Sequence, residues 1–255
     1  MSRVVTNTSA NQIYMYYLQN NAALGSSLEK LSSGLQINRA SDDPAGLAIS
    51  EDERQLVTGT NAANDVIANA NNYINTADGY LQTVNDMLGQ MEQLAVSYLD
   101  STNSANDSAD LNTEFSALEN EMNNITSQAE FNSVMLFQTG NLSFQVGADS
   151  GDTFSVSGTG SITSLVGPLA INNISQIQTA GSVVASARAA LGADQIVLNY
   201  QATAQLNYST NMSASEGRIR DLDVAQESTD LARQQIWSSP APRCWPRPTP
   251  RLKEC

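Results

Sequence analysis

The strongest constraint on the fold is a seven-residue repeat, in which Ile67, Ile74, Leu81 and Leu88 follow one another at that interval. Such an apolar repeat is typical of helices that wrap around one another, and it does not suit a β-strand. Hydrophobic residues make up 41% of the chain but aromatic residues only 6%, so these helices pack small aliphatic side chains. We therefore predict a long helix over residues 45–100.

The N-terminal forty residues carry a second apolar stripe with the spacing of a coiled-coil seam. Such a stripe lies on one face of a helix and predicts that this face packs against another helix. Gly34 lowers the helix propensity near the end of this segment. The residues of the stripe are Ile13, Tyr17, Leu24, Leu28, Leu31 and Leu35.

Further along the chain, the period of the apolar residues changes twice. After a polar turn at 100–110 the helical spacing resumes, whereas residues 141–158 alternate and predict a β-hairpin with its turn at 148–152. Helix then returns from Ile171 and is expected to run to about Ile236. The apolar positions of the two helices are Leu111, Phe115, Leu118, Met122 and Ile125, then Tyr208, Met212, Ser215, Ile219 and Leu222.

This order of elements predicts a mainly α fold. Both ends of the chain are heptad-like and the middle turns back on itself, so the two ends should lie side by side. We expect a long antiparallel helical bundle or coiled coil formed by the paired chain ends, with a small β-hairpin insert. A single pair of striped helices buries little surface by itself, which indicates assembly with other copies.

A short joint separates the first two predicted helices. Pro44 cannot continue the first helix and pushes the residue before it out of the α region. Ser41, Asp42 and Asp43 are good N-cap types, and Pro44 suits the first turn of a new helix. Residues 37–51 therefore indicate a compact connection between two helices.

Composition excludes several classes of function. The net charge of −14 argues against nucleic acid and anionic membranes as partners. The absence of histidine removes Ser-His and Cys-His catalysis and histidine metal sites, so we predict no catalytic residue, no metal site and no cofactor. Both cysteines, Cys244 and Cys255, lie at the C-terminal end. No apolar stretch has the length of a membrane span.

Three motifs carry a resemblance to a known family. They are "LEKLSSGLQINRASDDPAGLAIS" at 28–50, "QAEFNSVMLFQTG" followed by "LSFQVGADSGDTFSV", and "NMSASEGRIRDLDVAQESTDLARQQI" at 211–236. In this order they resemble bacterial flagellin, and the resemblance covers residues 1–236. It implies an inner core formed by both chain ends and an outer tube formed by the helices between them. Only a short stretch at 156–171 stands where flagellins carry variable outer domains, so the chain resembles a minimal form.

The resemblance implies a domain organisation. Residues 1–44 are expected to form the N-terminal core helix and a spoke, 45–221 the tube domain, and 222–236 the start of the C-terminal core helix. Residues 237–255 are expected to form an aberrant tail.

The resemblance also implies a function, that of a structural subunit of the bacterial flagellar filament, which serves motility. The implied partners are further copies of the chain, the flagellar export apparatus, a flagellin chaperone and the filament cap. The start, "MSRVVTNTSANQ", has no apolar signal-peptide core, so we expect export to the extracellular flagellum without a cleaved signal peptide.

Two alternatives stay open: the related hook–filament junction protein, and a coiled-coil interaction protein that does not assemble. The motifs "RASDDPAGLAIS" and "GRIRD" favour flagellin over the junction protein. A flagellin with a zinc-protease insert is not supported, because the chain has no "HExxH" motif.

The candidate subunit-interface residues lie in the two terminal helices and the joint. Arg39, Asp42 and Asp43 are expected to form charge pairs across neighbouring subunits, or else to serve only as a well-capped helix joint. The full set is Ile13, Tyr17, Leu24, Leu28, Leu31, Leu35, Arg39, Asp42, Asp43, Ile219, Leu222 and Leu231.

A second candidate site lies in "QMEQLAV" at 90–96, where the family carries its contact for the animal toll-like flagellin receptor. Gln90, Glu92, Gln93 and Leu94 are the candidate contacts. Flagellins usually have arginine and glutamate around a similar "LAV", and that motif alone is also ordinary helix core.

The tail at 237–255 differs from the rest of the chain in composition. It holds both tryptophans, both cysteines and five of the seven prolines, which preclude a continuous helix. If the codons after Ile236 are read one base out of step, those of Cys244, Trp245 and Pro246 must give leucine followed by alanine. The codons of residues 247–250 can then give Gln-Ala-Asn-Ala. "Leu-Ala-Gln-Ala-Asn" resembles the usual flagellin C-terminus. We therefore interpret the tail as a frameshift product; the alternative is a genuine Pro- and Arg-rich binding tail.

Overall fold

The computed structural model describes residues 8–137, 140–156 and 168–238. Its helices are α1 (Thr8–Ser33), α2 (Pro44–Tyr98), α3 (Ala105–Gln128), α4 (Ile174–Arg220) and α5 (Val224–Ser238), and its strands are β1 (Glu130–Phe131), β2 (Val134–Met135), β3 (Leu142–Gln145) and β4 (Thr153–Val156). The chain divides into two compact units, 1–55 with 211–255 and 56–210. The fold is therefore mainly helical with small antiparallel strand pairs, which confirms the predicted fold class.

The core of unit 56–210 follows the predicted seven-residue repeat. Ile67, Ile74, Leu81 and Leu88 are each at most 3% exposed. Between them lie small buried residues of α2, such as Ala70 and Ala77, which let neighbouring elements approach closely. The matching buried apolar residues of α4 are Ile177, Ala180, Val184, Leu191 and Leu198, and those of α3 are Phe115 and Met122.

Polar side chains join α2 and α4 in this unit, and the order of the pairs shows that the two helices run antiparallel. As the residue number rises along α2, the number of its partner falls along α4. Arg188 and Asp78 form the charged member of the series, with Nε–Oδ1 and Nη2–Oδ2 distances of 2.6 and 3.2 Å. The other pairs are Asn61–Ser209, Asn71–Asn199, Asn75–Gln195 and Glu92–Gln178.

Helix α3 starts with a reciprocal cap. Asp107 N donates to Ser104 Oγ, and Ser104 N donates to Asp107 Oδ2. This pair satisfies two backbone amides that lack partners inside the helix. The Ser104 backbone N–H first, and then the Ser104 side chain, bind the Asp107 carboxylate and hold its pKa below its usual value.

Two small hairpins complete the unit. β3 pairs with β4 in antiparallel register, Leu142 with Val156 and Gln145 with Thr153, so the hairpin predicted at 141–158 is confirmed over 142–156, with the predicted turn at 148–152 between its strands. Residues 157 and 158 lie outside the described residues. The second hairpin, β1 with β2, was not predicted because its strands have only two residues each. Its turn places Asn132 and Ser133 at φ of 50° and 63°.

The predicted helix from Ile171 to Ile236 is wrong in one respect, because the chain breaks between α4 and α5. Asp223 Oδ1 accepts hydrogen bonds from Ala225 N and Gln226 N, at 3.0 and 3.1 Å. Asp223 thus serves as the N-cap of a new helix. The apolar stripe that continues through Ile219 and Leu222 hides this break in the sequence.

Candidate functional site

The two ends of the chain lie side by side in unit 1–55 with 211–255, as the sequence predicts. α1 packs along α5, and Asn20 Nδ2 donates to Gln234 O at 2.9 Å. Further along, Leu35 and Asp221 form an antiparallel β-bridge. Because residue 20 lies opposite residue 234 and residue 35 opposite residue 221, the two helices run antiparallel.

Only part of the predicted interface stripe is covered within one chain. Among the side chains of α1 that the structure describes, the buried one is Ser27, 3% exposed, which the sequence did not indicate. Ile13 and Leu28 are 39% and 51% exposed. The stripe residues that are half-buried are Tyr17, Leu24, Leu31, Leu35, Ile219, Leu222 and Leu231.

An apolar groove opens between the first half of α1 and the end of α5. It is lined by Ile13, Tyr16, Tyr17, Ala23 and Trp237, together with the polar side chains of Gln19 and Asn20. Several further apolar side chains of these two helices are exposed, namely Tyr14, Met15, Leu18 and Ile236. Large apolar exposure on paired helices is typical of a surface that another protein chain covers.

The acidic residues of the joint bind backbone amides of their own chain. Asp43 Oδ1 accepts from Ala45 N and Gly46 N and so caps α2. Asp42 Oδ2 accepts from Arg39 N and Asn38 N, at 2.9 and 3.1 Å. These two bonds hold the pKa of the Asp42 carboxyl below its usual value.

Arg39 also has a partner within the chain. Its guanidinium binds both carboxylate oxygens of Glu29, at 2.8 and 3.0 Å. Both side chains stay well exposed, and an exposed ion pair contributes only about 0–1 kcal/mol. Charge pairs from Arg39, Asp42 and Asp43 to neighbouring subunits remain a prediction.

Sequence reasoning missed a contact that joins α4 to the start of α2. Arg220 Nη1 donates to Glu51 Oε1 at 2.8 Å, and its side chain is 16% exposed. The two residues lie far apart in the sequence, so no local period points to the pair. The signal available was the placement of an arginine among apolar positions at the end of a striped helix.

The candidate receptor contacts lie on α2. Gln90 and Gln93 are exposed, whereas Leu94 is half-buried and packs against the core. Glu92 Oε1 accepts a 2.8 Å hydrogen bond from Gln178 Nε2. Two of the four side chains therefore have structural partners within the chain, and receptor contact remains a prediction.

The fold and the paired termini define a helical protein of the coiled-coil class. Two family models match it: the bacterial flagellin N-terminal helical region at residues 4–141 and the bacterial flagellin C-terminal helical region at residues 174–241. Together they match most of the chain. This chain therefore belongs to the bacterial flagellin family, which is a family of structural proteins and not of enzymes.

Similar proteins are known from several bacteria. The chain is 36% identical to a flagellin of Halalkalibacterium halodurans over 222 residues, 82% of each chain. It is 32% identical to the flagellar filament 33 kDa core protein of Treponema phagedenis, over 85% of each chain. The crystal structure of Bacillus cereus flagellin matches the fold with a TM-score of 0.51 at 24% identity, covering 58% of this chain and 93% of that one.

Part of the unusual tail can be placed. Trp237 and Ser238 continue α5, and the match to the family's C-terminal region ends at residue 241. The rest of the tail, 239–255, lies outside the described residues. No helix within the described ranges is long and apolar enough to cross a membrane.

Proposed function

We propose that this chain is a structural subunit of the flagellar filament that polymerises through the surfaces of α1 and α5. The observation that carries this proposal is the incomplete burial of the terminal stripe. Ile13 and Leu28 stay exposed after α1 has packed on α5. Each large side chain left in water forgoes about 1.5–3 kcal/mol of burial, which neighbouring subunits would supply.

The finer partners follow from the family. Export through the flagellar channel, a flagellin chaperone and a filament cap are part of this proposal, as is a position in the extracellular filament. We further propose the division into a core at 1–44 and 222–236 and a tube domain at 45–221. The compact unit 56–210 lies inside that tube domain.

The test is electron microscopy of two chains. One is the 255-residue chain, and the other restores the reading frame after Ile236. Each proline inside a helix costs about 3 kcal/mol, so the sequence of the tail, with its five prolines, predicts no continuation of the terminal helix. The groove at Ile13 and Tyr17 would then lose a partner in every subunit. We expect the 255-residue chain to polymerise poorly and the repaired chain to form long filaments.

Three outcomes are informative. If the repaired chain stays monomeric, the filament function is wrong. If both chains form long, straight filaments under the same conditions, the terminal helix is not needed for assembly. A soluble rod-shaped monomer in both cases would support the alternative of a coiled-coil protein that does not assemble.

A further inference from the structure

A cleft in unit 56–210 lies where the β3–β4 turn meets the two long helices. Its volume is about 380 Å³. Five of the residues that line it carry an oxygen atom in the side chain. They are Thr60 of α2, Gln205 and Tyr208 of α4, and Asp149 and Asp152 of the turn. The cleft therefore brings together oxygen atoms from three separate segments of the chain.

The turn that carries the two carboxylates is held on both helices. Gly59 of α2 lies against it, since a Cβ atom there would be 3.0 Å from Ala148 Cβ. From α4, Gln205 Nε2 donates a 2.9 Å hydrogen bond to Val146 O. Because this bond uses the amide nitrogen, the Oε1 atom of Gln205 is left as an acceptor. Contacts with α2 and α4 thus keep the turn in place over the cleft.

Thr60 gives an independent indication of a ligand. It is 0% exposed, and its Oγ1 has no hydrogen-bond partner among the described residues. A threonine inside a helix often donates to the carbonyl four residues earlier, as Thr76 does to Asn72 O, but Thr60 does not. A buried hydroxyl without a partner costs about 1–3 kcal/mol. A polar ligand in the cleft that Thr60 lines would remove this cost.

The charge of the unit favours a cation as this ligand. Unit 56–210 holds fourteen acidic residues and a single basic one, Arg188, which is already paired. Arg188 lies about 25 Å from Gln205 along α4, at 1.5 Å per residue. Within this unit, no base therefore lies close enough in the helix to neutralise the carboxylates of the cleft. The potential of such an acidic body concentrates cations near its surface.

The chemistry of the ligand atoms points to calcium. Carboxylate, hydroxyl and amide oxygens are hard ligands, and Ca²⁺ accepts roughly six to eight of them in irregular geometry, whereas Mg²⁺ demands a near-ideal octahedron. The described residues contain no group of three or more acidic, histidine or cysteine side chains that could hold a metal ion. The site therefore relies on two carboxylates, neutral oxygens and water. Its Kd is expected in the weak range of extracellular modules, about 10⁻⁴–10⁻³ M.

We propose that the cleft is a calcium site. Asp149 and Asp152 supply its negative charge. Thr60 Oγ1 and Gln205 Oε1 supply neutral oxygens, and the bound ion joins the β3–β4 turn to α2 and α4. The proposal departs from the expectation, drawn from the sequence, that the chain holds no metal, because the ligands come from three distant segments. It does not depend on the filament function, since all of its residues lie in unit 56–210.

Terbium luminescence on the full monomeric chain is the first experiment. Tb³⁺ takes the same oxygen ligands as Ca²⁺, and it emits when a nearby excited tyrosine transfers energy to it. Tyr208 lines the cleft, so we expect tyrosine-sensitised emission that millimolar Ca²⁺ removes and an equal concentration of Mg²⁺ leaves largely in place. Tyr208→Phe should lower the emission. The Ca²⁺ affinity of this variant, measured by NMR titration of the turn amides, should be unchanged.

The same NMR titration compares variants of the ligands. Asp149→Asn with Asp152→Asn should weaken Ca²⁺ binding about tenfold or more, because affinity follows the number of charged ligands. Thr60→Val keeps the shape of the side chain and should weaken binding about fivefold, as for the loss of one neutral polar interaction. The matched control is Asp110→Asn with Glu114→Gln on the exposed surface of α3. It removes the same charge from the same unit and should leave binding unchanged.

Unfolding in urea at constant ionic strength is the second experiment. A ligand that binds only the folded chain stabilises it, so Ca²⁺ at about ten times its Kd should raise the urea midpoint above that in Na⁺. This rise should be absent in Asp149→Asn with Asp152→Asn and kept in the α3 control. The proposal is wrong if Ca²⁺ does not displace Tb³⁺, or if the α3 control loses as much affinity as the cleft variant. An equal rise with Mg²⁺ would show general ion binding and would also overturn the calcium site.

Discussion

Gly46, in the first turn of α2, occupies a position with no room for a side chain. A Cβ atom there would lie 2.4 Å from Asp43 Oδ2 and 3.0 Å from Ile37 Cδ1. Asp43 caps α2, and Ile37 is the buried apolar residue of the joint. We expect Gly46→Ala to destabilise the chain by about 1–3 kcal/mol, as overpacking does, when unfolding in urea is followed by circular dichroism.

Gly79 provides the control within the same helix. It is exposed, and a Cβ atom there would meet nothing within 4 Å. Alanine is a better helix former than glycine, so Gly79→Ala should stabilise the chain by roughly 0.5–1 kcal/mol. If Gly46→Ala stabilises the chain to the same extent, the close packing described for the joint is wrong.

The Asp42 carboxylate gives the joint a defined response to acid. Its folded-state pKa lies below the ordinary value of 3.8 because the backbone N–H groups of Arg39 and Asn38 bind its charged form. Its contribution to stability is therefore fully present above pH 3.8 and is lost as the pH falls through the lower, folded-state pKa. We expect the NMR shifts of the Arg39 and Asn38 amides to titrate in that acidic range. In Asp42→Asn this titration should be absent.

At the scale of the elements, the polar pairs between α2 and α4 define how the helices align. The apolar positions of α2 repeat every seven residues, with Ala63, Ala70 and Ala77 alternating with Ile67 and Ile74. Such a repeat alone distinguishes poorly between alignments that differ by one heptad, whereas polar pairs fix the alignment in coiled coils. The Arg188–Asp78 pair and its neighbours are expected to have this role.

Cysteine cross-linking tests this alignment. Cys244 and Cys255 are the two cysteines of the chain, and replacing both with serine leaves a background without thiols. Asn61→Cys with Ser209→Cys should form a disulfide readily, because the two native side chains meet at 3.2 Å. Ala68→Cys with Ser209→Cys, displaced by one heptad, should not. Efficient cross-linking of the displaced pair would show that the alignment is not unique.

The sequence predicts the elements whose signal is local and misses the contacts that join distant residues. The heptads of α2, the stripe of α3 and the hairpin at 142–156 each repeat over a few residues, so the period reveals them. The break before α5 left a weaker signal: Asp223 is followed three residues later by Gln226, a pattern typical of a helix start. Burial of Ser27 and the pairing of Arg220 with Glu51 depend on tertiary packing and have no local period.

At the scale of the whole molecule, the charge is distributed very unevenly. Unit 56–210 contains fourteen aspartate and glutamate residues and a single basic residue, Arg188, which Asp78 already binds. Like charges on a compact body repel one another, and salt screens this repulsion over a Debye length of about 30 Å at 0.01 M and about 3 Å at 1 M. We expect the thermal unfolding midpoint to rise by several degrees between these salt concentrations.

A variant with reversed charges is the matched test. Asp110 and Glu114 are exposed on α3, one turn apart, so Asp110→Lys with Glu114→Lys should raise the midpoint at low salt and flatten its dependence on salt. An unchanged salt dependence in this double variant would mean that repulsion among these carboxylates does not limit stability.

The isolation of Arg188 also affects how the protein can be detected. Trypsin cleaves after lysine and arginine, and between Arg54 and Arg218 the sequence contains only one such residue, Arg188. Arg188 lies inside α4, and two of its guanidinium nitrogens bind the Asp78 carboxylate. Even a complete digest releases residues 55–188 as one peptide, far longer than routine mass spectrometry sequences. Proteomic surveys that rely on trypsin will therefore undercount filaments of this chain, and digestion at its many acidic residues is needed to count them.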